Sequence, residues 1–458
     1  MSSADALAPL PETDVTTAIA ERAAALRYQD LSPDAVTVAG QCLLDWFAVT
    51  IAGAAEPLTR ILVEEAREEG GNAQASLIGA GRGTLAQAAL INGAASHALD
   101  YDDVHQAMKG HPTVPLVPAI LALGESLGAS GQDLITAFVA GYETECRIGL
   151  LVAPGHYGRG FHATATIGCF GAAAASANLL GLDAEATARA LGIVGTQAAG
   201  LKSQFGTMCK PLHAGHAAAS GLQAARLARR GFTSRADILE AEQGFADTHS
   251  DDFEAEAALA PAPEGFFVRG NLFKYHAACY LTHSTIEALA GLKREHDLDP
   301  ALVAAVTLEV DPGHLKVCHI EEPATGLEVK FSLRHTAAMA LSGIDTANPE
   351  TYTDAVAGRS DLVALRRRVD VRPTGGPLTL ATAALEMKDG RRLESSLDVG
   401  IPAADLAAQG ARLRTKFESL VVPLLGAEAS DALLADLVVP ADLDDVNRLT
   451  RLLSNWTV

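Results

Sequence analysis

Two different hydrophobic periodicities divide this chain, and that division constrains its fold more than any other feature of the sequence. From about residue 14 to about 245, apolar residues recur at the three- and four-residue spacing of helices, without runs of β-branched residues. After about residue 265, several segments alternate apolar and polar residues, as strands do. The predicted fold class is therefore mainly α, with a large all-helical domain and a smaller α+β domain.

Segments of the first half carry the signals that start and stop helices. A Ser-Pro pair precedes the apolar stripe of residues 32–53, which ends in Gly53. Ser130 and Asp133 are spaced like a capping box before another apolar stripe. The abundance of Ala and Gly in these segments predicts closely packed helices, some of them buried on all sides.

The second half predicts strands, one hairpin and one enclosed helix. The segments "LVAAVTLEVDP" and "LRRRVDVRP" alternate as strands, and an Asp389-Gly390 turn separates two further alternating runs. "FSLRHTAAMALSG" between them predicts a helix, and helical patterns return near residue 400. We expect the first part of the all-helical domain at 1–265, the α+β domain at 266–398, and a helical tail at 399–458 that rejoins the first domain.

Charge and cysteine usage exclude several classes of function. The chain has 35 basic and 56 acidic residues, a net charge of −21, which disfavours nucleic acid and anionic membranes as partners. Its six cysteines form no C-x-x-C pair and predict reduced thiols. The N-terminus lacks the pattern of a signal peptide, and Ala/Gly-rich apolar windows such as "GCFGAAAASANLLGL" are too short for a membrane span. We therefore expect a cytoplasmic protein.

The stretch "HALDYDDVHQAMKGHP", residues 97–112, concentrates charge in an otherwise Ala-rich region. Its carboxylates would lie at a helix C-terminus, which disfavours negative charge, so they need partners. These partners could be caps and ion pairs, or the carboxylates could orient a histidine for acid/base chemistry. A divalent metal on His97, Asp100, Asp103 and His111 is the third alternative. Because no second ligand helix such as H-x-x-x-H accompanies them, no metal is predicted.

Three further segments place basic side chains among small and apolar residues. A buried lysine is costly unless it is paired, so each such lysine either extends to solvent or is functional. No P-loop, nucleophile elbow or Rossmann fingerprint appears, so no cofactor is predicted. What remains is a set of His, Lys and Asp side chains suited to moving protons on a carboxylate-bearing substrate. The basic residues are His162, Lys210 with His213 and His216, and Lys274 with His276 and His283.

In this order, "HALDYDDVHQAMKGHP", "GRGFHATATIG", "KPLHAGHAA" and the Lys274 segment resemble the MmgE/PrpD family over nearly the whole chain. Members of that family include 2-methylcitrate dehydratase, cis-aconitate decarboxylase and iminodisuccinate epimerase. The resemblance implies a large helical domain, a smaller α+β lid domain, a site between the two, and usually a homodimer.

The resemblance also implies roles for individual residues. His111 would exchange the proton at the carbon next to a carboxylate, with Asp100 orienting a neighbouring group. Lys210, Lys274 and His162 would bind substrate carboxylates as charge-assisted donors. The predicted catalytic residues are His111, Asp100 and Lys210, and the predicted substrate-binding residues are His162, Lys274 and His276.

Two motifs depart from the family pattern. Val104 stands where the dehydratase and decarboxylase branches place threonine. In the motif from Lys274 to Cys279, His276 and Ala277 replace the tyrosine and proline of the family pattern. The leading hypothesis is a cofactor-independent lyase or isomerase of a small di- or tricarboxylate, similar to 2-methylcitrate dehydratase. A decarboxylase or an epimerase of the same family is the alternative. A metal-dependent helical hydrolase and a non-catalytic binding protein are alternatives of other classes.

Overall fold

The computed structural model describes residues 14–453 and 456–457 of the 458-residue chain. The protein is mostly helical and contains small β-sheets. Before residue 270 the helices and strands are α1 (Val15–Ala25), α2 (Pro33–Gly53), α3 (Pro57–Glu69), β1 (Ala75–Leu77), β2 (Gly81–Gly83), α4 (Leu85–His97), α5 (Thr113–Leu127), α6 (Gly131–Leu151), α7 (Gly155–Gly158), α8 (Ala163–Thr166), α9 (Gly168–Leu179), α10 (Ala184–Gly195), α11 (Cys209–Ala228), α12 (Phe245–His249) and α13 (Ala255–Leu259).

The remaining elements are mixed before residue 400 and helical after it. They are α14 (His283–His296), β3 (Val303–Val310), α15 (His314–Val317), α16 (Gly326–Val329), α17 (Leu333–Leu341), α18 (Asp354–Ala357), α19 (Ser360–Arg366), β4 (Val369–Pro373), β5 (Leu380–Met387), β6 (Arg392–Asp398), α20 (Leu406–Leu425), α21 (Ala427–Val438) and α22 (Asn447–Thr450).

Internal contacts divide the described part of the chain into two compact units. The first, here called the helical unit, comprises the described residues of Met1–Ala98, Val104–Arg269 and Leu425–Val458. The second, here called the mixed unit, comprises Leu99–Asp103 and Gly270–Leu424. The charged stretch at residues 97–112 is therefore shared: its aspartates belong to the mixed unit and its histidines to the helical unit.

Helices α4 and α11 of the helical unit pack backbone against backbone, as the Ala/Gly content predicts. A Cβ atom built on Gly93 would lie 2.8 Å from the Cα of Gly215, and one built on Gly215 would lie 2.1 Å from the carbonyl oxygen of Leu90. No real Cβ tolerates such distances, so both positions require glycine. This contact places the C-terminal turn of α4 beside the N-terminal turns of α11.

Helix α2 is 21 residues long and apolar, with a mean hydropathy of 1.5 over its most apolar window. By length and composition it could cross a membrane, but 78% of that window is buried inside the protein. It packs against α4, α5 and α6, as a core helix does. The extent of α2 agrees with the predicted stripe of residues 32–53, but its length contradicts the expectation that the apolar windows are too short for a membrane span.

The sequence predicts an entirely helical first half, and this prediction is wrong at one place. Strands β1 and β2 form an antiparallel hairpin in which Ala75 pairs with Gly83. Its turn contains Gly79 at φ 80°, and Gly81, the first residue of β2, has φ 99°. Three-residue strands are too short for their alternation to stand out in a sequence, which explains the error.

The four-stranded sheet of the mixed unit has the order β4-β3-β5-β6. β3 and β4 run parallel, whereas β5 pairs antiparallel with β3 and with β6. The predicted hairpin is confirmed, with Gly390 in its turn at φ 89°. Helix α14 packs on β5 and β6, and α17 packs on α14 and β4.

The tail helix α20 belongs to the mixed unit, so the boundary lies at residue 424 and not at the predicted residue 398. Its buried stripe includes Leu413, Lys416, Phe417 and Leu420, and this stripe packs within the mixed unit. Only α21 and α22 of the tail join the helical unit. α22 ends at Thr450, whereas the predicted helical pattern continued into residues 454–455, which lie outside the described residues.

Candidate active site

Four histidines and one lysine converge in the helical unit, and we call them the histidine cluster. The ring of His97, on the last turn of α4, lies 4.6 Å from the ring of His111 and 5.8 Å from that of His162, between ring centroids. The Nδ1 atoms of His162 and His213 are 3.1 Å apart. Lys210 completes the cluster, and its charge acts on both His162 and His213.

Backbone contacts fix the segments that carry these rings. The backbone N–H of His111 donates to the Thr164 hydroxyl at 3.1 Å, and a Cβ on Gly110 would lie 2.9 Å from the Thr164 nitrogen. The backbone N–H of His162 donates to the Gly200 carbonyl at 3.0 Å. The segment before α5 and the start of α8 are therefore held directly together.

Burial and mutual repulsion keep His162 neutral. Its side chain is buried, and this burial, followed by the charges of His97 and Lys210, holds the pKa of His162 far below its usual value. The pKa of His213 is lowered in the same way, mainly by burial. In the ligand-free protein this lowered pKa favours the neutral imidazole of His162, and the predicted role of His162 as a donor to substrate carboxylates stays a prediction.

Phe205 forms an exposed aromatic wall beside the cluster. Its ring centroid lies 5.0 Å from that of His162 and 5.4 Å from the Lys210 ammonium. The Phe205 side chain is 40% exposed, so this side of the cluster faces solvent.

Asp100 and Lys274 form an ion pair in the mixed unit. The Lys274 ammonium donates to the backbone carbonyl of Asp100 at 2.6 Å and to its carboxylate Oδ1 at 2.9 Å. Asp100 has a left-handed backbone, with φ 51°, which directs both oxygens to the same lysine. Two of the three ammonium N–H donors of Lys274 are thus used by one residue.

Burial would lower the pKa of Lys274, because its side chain is only 2% exposed. The charges of Asp100 and Asp102 outweigh this effect and raise the pKa above its usual value. Lys274 therefore carries its positive charge. Asp102, which is itself buried, acts as a supporting charge, as the sequence analysis had allowed.

Lys416 of α20 holds the Asp100 and Lys274 segments together. Its ammonium donates to the carbonyl of Tyr101 at 2.7 Å and to the carbonyl of Lys274 at 3.0 Å. It also lies 4.0 Å from the Tyr101 ring centroid, within cation–π distance, and only 3% of the residue is exposed. The position of Asp100 relative to Lys274 thus depends on a residue far away in sequence.

His276 has protein partners on both ring nitrogens. Its Nε2–H donates to the Glu287 carboxylate at 3.2 Å, and its Nδ1 lies 2.8 Å from the Thr346 hydroxyl. Burial would raise the pKa of Glu287, but hydrogen bonds and charges from His276 and Arg412 lower it to about 2. Arg412 also stacks over the ring of Tyr275. These contacts anchor the chain directly after Lys274, whereas the predicted contact of His276 with a substrate stays a prediction.

His105, in the same charged stretch, serves the fold of the helical unit. Its Nδ1 accepts from the backbone N–H of Ala107 at 3.1 Å, so its Nε2–H donates to the Phe267 carbonyl at 3.1 Å. Burial lowers the pKa of His105 to about 4, and the ring is neutral near pH 7. The stretch therefore mixes structural and candidate functional histidines.

The structure brings the predicted residues together in two groups. His111, His162 and Lys210 are neighbours in the helical unit, and Asp100 and Lys274 are neighbours in the mixed unit. The four residues considered for a metal are divided equally between the two units.

The predicted site residues did not include His97, His213 and Lys416, although the sequence analysis named His97 as a possible metal ligand and His213 among the basic residues. His213 follows Lys210 by three positions, which places both on one face of a helix. Lys416 interrupts an apolar stripe at helical spacing, a pattern that indicates a buried lysine. These signals were present in the sequence, but the partners of each residue were not.

The fold and these two groups define a mostly helical protein with titratable side chains grouped in each of its units. Two family models match the chain: the MmgE/PrpD N-terminal domain over residues 17–258 and the MmgE/PrpD C-terminal domain over residues 276–438. The chain belongs to the MmgE/PrpD family, and the resemblance noted in the sequence is confirmed.

Curated relatives include several proteins named cis-aconitate decarboxylase. The chain is 26% identical to the enzyme of Mus musculus over 394 residues, which cover 81% of this chain and 79% of the relative. It is 31% identical to the cis-aconitate decarboxylase-like protein oryM of Aspergillus oryzae over 303 residues, 62% of this chain and 63% of the relative. The match to the cis-aconitate decarboxylase of Aspergillus terreus is 31% over 308 residues, 62% of this chain and 61% of the relative. The chain thus spans less than two thirds of the fungal relatives that it matches.

Proposed function

We propose that this protein is a cofactor-independent lyase or isomerase that performs proton chemistry next to a carboxylate of a small di- or tricarboxylate. The histidine cluster is the observation that carries this proposal. The ring centroids of His97, His111, His162 and His213 are linked by distances of 4.6 to 5.8 Å, and burial, together with the charges of His97 and Lys210, lowers the pKa of His162 and His213. A bound polyanion would relieve that repulsion and favour the charged forms.

Two lysines, Lys274 and Lys210, supply the positive charge that would bind substrate carboxylates. Lys274 keeps its charge through Asp100, and one of its three N–H donors remains beyond the two that Asp100 accepts. Lys210 lies on the first turn of α11, beside the exposed ring of Phe205. We propose that both lysines bind substrate carboxylates, and that His162 contributes a neutral N–H or gains its proton when the anion binds.

His111 is the proposed proton carrier. Its backbone is fixed by Thr164 while its ring faces His97, and it is only partly buried, so that it can exchange protons with solvent. Removing a proton, or carbon dioxide, next to a carboxylate leaves an electron pair that is delocalised as an enediolate. The lysines would stabilise that charge, and a proton on His111 would end on carbon. Asp100 contributes by orienting Lys274.

Decarboxylation is our leading reaction within this class. The relatives named cis-aconitate decarboxylase favour it over the dehydration of 2-methylcitrate that the sequence analysis placed first. In this reaction the bond to one carboxylate breaks, carbon dioxide leaves, and one proton replaces it on the carbon skeleton. Dehydration and epimerisation use the same intermediate type and remain alternatives, because Val104 and His276 depart from the family pattern near two of the motifs.

A screen in deuterated water tests the reaction class. The protein is incubated separately with cis-aconitate, 2-methylcitrate, citrate and iminodisuccinate, and the products are followed by NMR. Decarboxylation predicts a product that has lost one carbon as carbon dioxide and gained one deuterium from the solvent, dehydration predicts a new alkene signal, and epimerisation predicts deuterium exchange without net loss. If the active protein neither converts nor exchanges any of these acids, the proposal fails.

Two alternatives of other classes have separate tests. A metal-dependent hydrolase requires a divalent metal, so turnover that survives a chelator argues against it. A non-catalytic binding protein would bind a carboxylate without turnover, and His111→Ala would leave that affinity unchanged. We further propose a cytoplasmic homodimer, with the mixed unit acting as a lid, on the basis of the family resemblance. Light scattering of the purified protein measures its oligomeric state.

A further inference from the structure

Cys279 and Cys318 of the mixed unit lie together although they are distant in sequence. The two thiols are hydrogen-bond partners. Cys279 is partly exposed, whereas Cys318 is buried. The proposed function uses neither thiol, and core packing does not require two cysteines to meet.

Backbone hydrogen bonds hold the segments of Cys279 and Cys318 close to each other. The N–H of Cys279 donates to the Lys330 carbonyl at 3.0 Å, and His319 pairs with Ser332 in an antiparallel bridge. Residues 330–332 therefore contact the chain at Cys279 and also at the residue after Cys318. The Cys318 N–H donates to the His314 carbonyl at 2.7 Å, which fixes the second thiol at the end of α15.

The surroundings of the two sulfurs shift the pKa values of the two thiols in opposite directions. The hydrogen bond from Cys318, with the backbone N–H of Leu281 and the charge of Lys274, outweighs burial and the charge of Asp100 and lowers the pKa of the Cys279 thiol. The same hydrogen bond and burial raise the pKa of Cys318. Because the thiolate is the nucleophile, Cys279 is the sulfur that reacts first with an oxidant that enters from solvent.

We propose that Cys279 and Cys318 are a peroxide-responsive redox pair that forms a reversible disulfide. The Cys279 thiolate attacks one oxygen of a hydroperoxide, the O–O bond breaks, and Cys279 becomes a sulfenic acid. The Cys318 sulfur then attacks the Cys279 sulfur, the S–O bond breaks, and water leaves. With hydrogen peroxide, the two thiols lose two electrons and two protons, and two molecules of water are formed. A dithiol reductant reverses the step by thiol–disulfide exchange.

The disulfide has a consequence for Lys274, and this part rests on the proposed function. Cys279 is in electrostatic contact with both Lys274 and Asp100. A covalent bond to Cys318 removes the ionisable thiol beside that ion pair and restricts the segment from Lys274 to Cys279. We expect turnover to fall by about tenfold on oxidation, a size typical of small displacements of binding groups, and to recover on reduction.

Mass spectrometry of the full-length protein tests the redox pair without reference to activity. The protein is treated with a small excess of hydrogen peroxide, remaining thiols are alkylated, and the protein is digested without reduction. We expect a peptide that links Cys279 to Cys318 and that disappears after treatment with dithiothreitol. Cys279→Ser and Cys318→Ser should each abolish the link, and Cys318→Ser should leave a Cys279 sulfenic acid that dimedone traps.

Cys209→Ser is the matched control, because Cys209 is an exposed thiol of the helical unit. The Cys279–Cys318 link should form in this variant as in the unmodified protein. In the unmodified protein, the proposal is overturned if peroxide oxidises Cys209 while Cys279 and Cys318 both remain reduced and are alkylated. If the link forms and turnover is unchanged, the coupling to Lys274 is wrong. If none of the four acids is converted, the proposed function fails while the disulfide result still stands.

Discussion

The histidine cluster of the helical unit and the Asp100–Lys274 pair of the mixed unit differ in whether their buried basic side chains carry a positive charge. In the cluster, burial and like charges lower the pKa of His162 and His213, so that charge is withheld. In the pair, Asp100 and Asp102 outweigh burial and raise the pKa of Lys274, so that charge is retained. The difference shows that groups predicted from sequence as equivalent cations have different charge states, because their neighbours differ.

Replacing His111 should give the largest effect on the histidine cluster. His111→Asn removes the proposed proton carrier, and we expect turnover to fall by about 10²- to 10⁴-fold, the usual contribution of a general acid or base. The fold should persist because the contact with Thr164 uses the backbone N–H. Steady-state kinetics and thermal melting measure the two properties. His296→Asn, at an exposed position of α14, is the control, and turnover of His111→Asn equal to that of this control would remove His111 from the mechanism.

Breaking the ion pair of the mixed unit should affect both binding and stability. Lys274→Met removes the ammonium that pairs with Asp100, and we expect KM to rise about a hundredfold and the free energy of unfolding to fall by about 1–3 kcal/mol. This loss is smaller than for a fully buried pair, because the Asp100 side chain is 36% exposed and water can solvate it.

The double variant Asp100→Asn/Lys274→Met separates these two effects. It also removes the carboxylate charge that has lost Lys274, so stability measured by urea unfolding should partly recover while KM stays high. Recovery of KM together with stability would show that Lys274 has a structural role only.

Lys416 links the two segments of the ion pair, and its loss should have an intermediate effect. Lys416→Met leaves the carbonyls of Tyr101 and Lys274 without this donor and should raise KM by about tenfold, since misplaced binding groups cost affinity. Lys416→Arg keeps the charge and should restore part of the affinity. Equal KM values for the Met variant and the unmodified protein would exclude a positioning role.

Substrate binding should depend on pH through the histidine cluster. Because a polyanion favours the protonated forms of His162 and His213, binding takes up protons, and KM should fall by about two- to fivefold per unit as pH decreases from about 8 to 7. Calorimetry in buffers of different ionisation enthalpy measures the proton uptake directly. An NMR titration of the free acid corrects for protonation of the substrate itself. A KM that rises as pH decreases would contradict the proposed role of the cluster.

His105 should give the smallest effect, which concerns stability alone. Its pKa is about 4 in the folded protein and about 6.5 when unfolded, so the unfolded state binds more protons below about pH 6.5. Its contribution to stability is present at neutral pH and falls as pH decreases, by about 1 kcal/mol at about pH 5.5.

A substitution at His105 isolates that contribution. His105→Asn should be less stable than the unmodified protein near pH 7.5, because the hydrogen bond to Phe267 is lost, but it should lose less stability between about pH 7.5 and 5.5. Urea unfolding at both pH values measures this, with His296→Asn as the control. The same pH dependence in the His105 variant and its control would contradict the argument.

Much of the fold could be predicted because it depends on local patterns. The Ser-Pro start of α2, the capping box of α6 and the Asp389-Gly390 hairpin all appear where the sequence signals place them. The short hairpin of β1 and β2 and the membership of α20 in the mixed unit could not, since neither leaves a clear local pattern.

The sequence by itself determined the mostly helical fold with a small sheet, and it selected His111, His162, Lys210, Asp100 and Lys274 as chemically unusual residues in an apolar background. Only the tertiary structure decided which of them are neighbours and which are charged. The contact of Gly93 with Gly215 brings His97 and His213 to the same end of two packed helices, and Lys416 joins Asp100 to Lys274. The physical reason is that helical periodicity and turn signals act over a few residues, whereas a pKa depends on burial and on charges that packing brings together from distant parts of the chain.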